Sequence, residues 1–161
     1  MKHVLDRLVG AAELVLLLTS AVVLGAAYVF QYGVGLPPCE LCYLQRYPYM
    51  VVIGLMAVGL VAGRFSWLLA LAGLALIVNA GIALNHVGVE LKWWEGPATC
   101  SAVATPADSD ALLDQILNAP LVRCDEVSWS FLGISMAGYN LLIALGLAVF
   151  AFYAWRQRSR T

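Results

Sequence analysis

Charge is scarce in this sequence. Asp, Glu, Lys and Arg together make up 12% of its 161 residues, about half the usual share of roughly 25% in a soluble domain. So few charges cannot coat a water-exposed surface around one core, and a soluble globule is not expected. A basic stripe is also missing. The formal net charge is -1, so nothing is available to neutralise phosphates and nucleic-acid binding is not expected. Internal repeats and low-complexity tracts are absent. Disorder is excluded by the 62% hydrophobic content and a mean hydropathy of +0.84. A small protein embedded in the lipid bilayer remains, with residues 1–161 forming a single membrane domain.

Four apolar stretches are bounded by charged or polar residues, at about 14–30, 47–63, 65–84 and 131–155. Each has the length of about 17–25 residues that lets a helix cross a hydrocarbon core of roughly 30 Å. Lipid leaves only helices and closed barrels satisfied, and these continuous runs lack a barrel's alternation. An all-α bundle of four transmembrane helices is therefore expected. Gly63-Arg64 makes a very short turn, so spans two and three should be antiparallel neighbours. Small residues within the spans, Gly54, Gly59, Gly73 and Gly81 among them, would allow close backbone approach. Tyr28, Tyr49, Trp67 and Trp155 fall near span ends, where aromatic belts form. Lys2, Arg7, Arg64, Arg156, Arg158 and Arg160 flank one side of the bundle. The positive-inside rule then places both termini in the cytoplasm and the loops 31–46 and 85–130 outside. Span one is too long for the core of a cleaved signal and is expected to be retained. In the long loop, Leu112, Leu113, Ile116 and Leu117 mark a short amphipathic helix over Asp108–Asn118.

The four cysteines all lie in the two outer loops, where an oxidising compartment allows disulfides to persist. Cys39 and Cys42 form a C-x-x-C in the short loop; Cys100 and Cys124 are widely spaced in the long one. A redox pair, half of a zinc site and two inert staples are the alternatives. A C-x-x-C ring is a weak staple, because the benefit of loop closure grows with loop length. Zinc would need a closely spaced second half, which Cys100 and Cys124 do not supply in sequence, so no metal is expected. Arg46 follows Cys42 by four residues, the spacing that stacks side chains on one helical face. A guanidinium there favours the nucleophilic thiolate; as an alternative, Arg46 is an interfacial anchor reaching water. His86 stands at the outer end of span three, on the same side as the C-x-x-C. It is either a satisfied interfacial residue or a group that binds a polar head and moves protons. Asn79, inside the span, reads as interhelical glue.

Several of these residues together resemble the disulfide bond formation protein B (DsbB) family. They are Pro38-Cys39-x-x-Cys42 before span two, Gln45-Arg46, His86, Cys100 and Cys124, and Trp129 to Met136 entering span four. The resemblance covers essentially the whole chain. It implies a thiol oxidase of the bacterial inner membrane, with Cys39, Cys42, Cys100 and Cys124 catalytic and its cysteine loops in the periplasm. A periplasmic thioredoxin-fold (DsbA-like) partner would attack the Cys100–Cys124 disulfide at Cys100, and Cys39–Cys42 would reoxidise the loop. Cys42, Arg46 and His86 would bind the electron acceptor, ubiquinone or menaquinone. A vitamin-K-epoxide-reductase-like protein is the alternative within redox chemistry. Its quinone-proximal C-x-x-C is expected late in the bundle, whereas here it precedes span two.

Overall fold

The computed structural model describes residues 7, 9–63, 65–97 and 122–160. Cys100, Arg64 and the segment Asp108–Asn118, where a surface helix is expected, lie outside the described residues. Among the described residues, four helical stretches are long and apolar enough to cross a membrane: Ala12–Gly33, Glu40–Ala62, Ser66–Glu90 and Met136–Arg158. The protein is a four-helix membrane bundle. In chain order, α1 is Ala12–Tyr28 and continues into a π-helical turn, Val29–Gly33; α2 is the short helix Glu40–Leu44; α3 is Arg46–Ala62; α4 is Ser66–Glu90; and α5 is Met136–Arg158. Before α5, strands β1 (Ser130–Phe131) and β2 (Ile134–Ser135) form an antiparallel hairpin with Ser130 opposite Ser135. Its two turn residues, Leu132 (φ 49°) and Gly133 (φ 78°), are both left-handed, as a tight hairpin requires.

The helices depart from the apolar runs for identifiable reasons. Helix α4 continues past Leu84 to Glu90, so Asn85 and His86 lie within it rather than beyond its end. His86 is buried in the bundle there, and a rule that stops a span at polar residues stops too soon. The second helical stretch starts at Glu40, ahead of the expected Tyr47, with only a local break at Gln45. Pro48 explains the break, since it has no N–H to bond the Leu44 carbonyl one turn back. Residues 131–135 belong to the hairpin, and α5 begins at Met136. Ser135 caps it by accepting a hydrogen bond from the Gly138 N–H at 3.1 Å.

Helix α1 packs on α3, α3 on α4, and α4 most extensively on α5, whereas α1 and α5 touch only lightly. The core between them includes Leu16, Val52, Met56, Leu69 and Leu76, closed against Ala148 and Ala151 of α5. A Cβ on Gly73 would lie 2.9 Å from the Phe152 ring, so α4 and α5 meet there through a glycine. Gly54 and Gly81 face open space instead and mediate no close contact. At the end of the bundle away from the C-x-x-C, Glu13 is 1% exposed and forms an ion pair with Arg158. The charge that bounds the first apolar run is thus inside the bundle, tying α1 to α5.

Candidate functional site

Cys39 takes the N-cap position of α2. Pro37 and Pro38 precede it, its backbone is extended (φ -75°, ψ 173°), and its Sγ accepts the Cys42 N–H at 3.3 Å. A sulfur thus does what a Ser or Asp oxygen does at other helix starts. The x-x spacing brings Cys42 round by one turn. Both are free thiols, and Cys39 Sγ donates to Cys42 Sγ across 2.9 Å, well beyond the roughly 2.05 Å of a disulfide. The hydrogen bond to Cys42, followed by burial, pushes the Cys39 thiol above its ordinary range. As residues, Cys39 is buried and Cys42 half-buried.

A chain of polar side chains crosses the bundle from this pair. Cys39 Sγ lies 3.6 Å from His86 Nε2 on α4. His86 Nδ1 lies 2.8 Å from Gln45 Nε2. Asn140 on α5 donates from Nδ2 to Gln45 Oε1 at 2.5 Å, and the Tyr49 hydroxyl donates to Asn140 Oδ1 at 2.6 Å. Asn79 joins from α4 through Nδ2, 3.5 Å from Asn140 Oδ1, as the expected interhelical contact. Glu90, one turn after His86, places Oε1 3.8 Å from His86 Nε2 and accepts the Ser135 hydroxyl on its other oxygen. Tyr49 is 2% exposed; it belongs to this network and not to an aromatic belt.

Arg46 is 7% exposed, so its head group does not reach out to water as an interfacial anchor would. Its guanidinium carbon sits 4.9 Å from the ring centroids of both Tyr28 and Tyr43, and its Nη1 donates to Gln31 Oε1 at 2.6 Å. Gln31 stands in the π-helical turn that ends the first span. Among the described residues no carboxylate pairs with Arg46.

A cavity of about 560 Å³ joins these groups. Cys39, Cys42, Arg46, His86 and Glu90 line its polar part; Val22, Val23 and Ala26 of α1 and Ile143 of α5 line its apolar part. It therefore lies where α1 and α5 barely touch. A shallower groove on the same two helices, lined by Leu18, Val22, Ile143 and Leu147, adjoins it through Val22, Val23 and Ile143. The arrangement can hold an apolar molecule that carries hydrogen-bond acceptors at one end.

The long loop reaches the same place. Cys124 is fully buried, is disulfide-bonded, and packs in one cluster with Cys39, Leu41 and Val89. The neighbouring Asp125 holds the segment down: its carboxylate accepts from Lys92 Nζ at 2.6 Å and from Arg123 Nε at 2.9 Å. Arg123, then Lys92, hold the Asp125 carboxyl well below the usual range. Four of the six residues singled out from sequence, Cys39, Cys42, Arg46 and His86, line one cavity, with Cys124 beside it. Sequence reasoning missed Gln45 as a partner of His86, and missed Glu90 and Asn140. A signal was present for each: Glu90 follows His86 by four residues, and Asn140 is a lone amide in an apolar span.

Comparison with known proteins gives a consistent result. A family model described as disulfide bond formation protein DsbB matches residues 10–154. A disulfide bond formation protein B of Pasteurella multocida is 35% identical, covering 81% of each chain. Proteins of the same description from Marinobacter nauticus and Mannheimia succiniciproducens are each 32% identical, covering 82% and 90% of this chain and 86% and 82% of their own.

Proposed function

We propose that this chain, which belongs to the DsbB family of disulfide bond formation proteins, reoxidises a periplasmic thioredoxin-like (DsbA-like) dithiol and passes the electrons to membrane quinone. Family membership and the four spans make it a multi-pass membrane protein with a disulfide oxidoreductase role. One observation carries the proposal: a close thiol pair at the polar end of an apolar cavity, with a buried guanidinium beside it.

The cavity fits a quinone by size and by chemistry. Its apolar walls suit a ring and tail, and the N–H groups of Arg46 and His86 suit carbonyl oxygens. The weak contact between α1 and α5 offers a route from the bilayer. Bound there, a quinone, whether ubiquinone or menaquinone, would accept two electrons and two protons. Arg46 is held between two tyrosine rings, and this fixes a positive charge where negative charge develops. Cys42 is the nucleophile facing the cavity, and Cys39 keeps its proton through the hydrogen bond to Cys42.

The resemblance, supported by the cluster that Cys124 shares with Cys39, suggests the course of thiol exchange. A partner thiolate attacks Cys100 of a Cys100–Cys124 disulfide and Cys124 leaves as thiolate. Cys124 attacks the oxidised inner pair at Cys39, with which it shares a cluster, and Cys42 is released as thiolate. The partner's second thiolate displaces Cys100, and Cys100 displaces Cys39 to restore Cys100–Cys124. The resulting Cys39–Cys42 dithiol would re-form its disulfide as it gives up two electrons and two protons. The basic residues Arg156 and Arg158 lie at the end of the bundle opposite the cysteines, which supports a bacterial inner-membrane orientation with cysteines in the periplasm and both termini in the cytoplasm.

The test is anaerobic mixing of the purified protein with ubiquinone or menaquinone and a reduced thioredoxin-fold donor, watching quinone absorbance. Cys42→Ser and Cys100→Ser should each abolish quinone loss. Turnover at the parent rate in either variant overturns the reading.

A further inference from the structure

We propose that the reduced inner pair forms, together with His86, a site for one soft divalent cation such as Zn²⁺, open only while Cys39 and Cys42 are dithiol. The sulfurs of Cys39 and Cys42 and a ring nitrogen of His86 all lie within 4.8 Å of one another. Zinc bonds sulfur at about 2.3 Å and imidazole at about 2.0–2.1 Å, so a tetrahedral S···N edge is about 3.6 Å. The Cys39 Sγ to His86 Nε2 distance is 3.6 Å. The two sulfurs, 2.9 Å apart, must separate to about 3.8 Å for the same tetrahedron, a change that a turn of the half-buried Cys42 side chain provides. Two thiols lose their protons on binding and the imidazole binds neutral. No electron moves, so no oxidant or reductant is required.

The surroundings suit the ion. Ligating imidazoles almost always donate their other N–H to an oxygen. Gln45 stands 2.8 Å from His86 Nδ1, and turning its amide over presents Oε1 to an Nδ1–H. Asn140, also an amide, can turn with it and keep the hydrogen bond between them. The fourth position faces the cavity, where a water or the Glu90 carboxylate, 3.8 Å from His86 Nε2, can complete the shell. The site differs from a four-cysteine zinc knuckle because His86 replaces the outer pair. Oxidation of Cys39 and Cys42 removes both thiolates and closes it. Occupation would hold the inner pair reduced and block exchange with Cys124.

Titration of the full-length, reduced protein in detergent with Co²⁺, under anaerobic conditions and without donor or quinone, tests this. The Cys100→Ser/Cys124→Ser variant is titrated in parallel, so that the inner pair is the sole source of thiolate. Both proteins should saturate at one Co²⁺ per chain, with a sulfur-to-cobalt charge-transfer band and the visible bands of tetrahedral cobalt. The same parent protein, oxidised beforehand, should show neither, a comparison free of any folding defect. His86→Gln should weaken binding at least tenfold. Equal binding to the oxidised form, absence of the sulfur band from the reduced double variant, or unchanged affinity in His86→Gln each overturns the proposal. Quinone reduction is measured separately without metal, so failure here and failure of the oxidase reading give different results.

Discussion

Gln45 Nε2 donates to His86 Nδ1 at 2.8 Å and thereby leaves the imidazole proton on Nε2, 3.6 Å from Cys39 Sγ. Asn140 Nδ2 in turn donates to Gln45 Oε1 from α5. Replacing Gln45 by Leu removes the donor that selects this tautomer and leaves Nδ1 buried without its partner. A neutral hydrogen bond contributes about 1 kcal/mol net, and a tenfold rate change corresponds to about 1.4 kcal/mol. Gln45→Leu should therefore slow quinone reduction about five- to tenfold at saturating donor. Steady-state assays in detergent check this, and the KM for the thiol donor should not move.

The clamp on Arg46 makes a second expectation. Lysine carries the same charge but cannot stack a plane between Tyr28 and Tyr43 while donating to Gln31 from its edge. Desolvated cation–π contacts contribute on the order of 1–2 kcal/mol each. Arg46→Lys should raise the KM for quinone about tenfold while the fold is kept, and Tyr28→Leu should give a smaller rise in the same direction. Initial rates across quinone concentrations would show this; an unchanged KM in Arg46→Lys speaks against the clamp.

Asp125 ties the Cys124 segment to Lys92, just past the end of α4, and pairs with Arg123 inside the segment. Its folded carboxyl titrates below its ordinary value, so the clamp is fully present above about pH 4, the unfolded value, and weakens as pH falls through the lower folded one. Asp125→Asn should loosen the 122–126 segment at pH 7, seen as faster amide hydrogen exchange there. The difference between variant and parent should shrink under strongly acidic conditions, where the parent carboxylate is itself protonated. Lys92 is 62% and Arg123 38% exposed, so solvent screens the clamp and the effect on global stability is small.

How much of this was legible in the sequence depends on which face a polar residue presents. Four helices follow from apolar length alone, because lipid permits little else. The C-x-x-C, Arg46 and His86 were visible as types and spacings, and the cavity that gathers them lies where α1 and α5 part. Rules that treat polar residues as water-facing place Glu13, Tyr49 and His86 at boundaries and Glu90 in the outer loop, yet Glu13, Tyr49 and His86 are each less than 5% exposed and Glu90 bonds Ser135 inside the site. Hydropathy measures composition, whereas partners such as Gln45 for His86 and Arg158 for Glu13 depend on long-range contacts. Cys124 illustrates the same point, since nothing in its spacing places it beside Cys39.

Glycines in apolar helices separate into two kinds by what a methyl group would meet. At Gly73 the added carbon would lie 2.9 Å from the Phe152 ring, so the α4–α5 contact must open; at Gly81 it meets nothing within 4 Å. Overpacking of a tight contact costs about 1–3 kcal/mol, while Gly→Ala in an open helix interior gains roughly 0.5–1 kcal/mol. Gly73→Ala should therefore lower the thermal unfolding midpoint in detergent, and Gly81→Ala should leave it unchanged or raise it. Phe152→Leu combined with Gly73→Ala should recover part of the loss, because the smaller side chain yields the space that the new methyl needs. If the pair instead loses as much as the two single changes added together, the ring contact is not what makes glycine necessary at position 73.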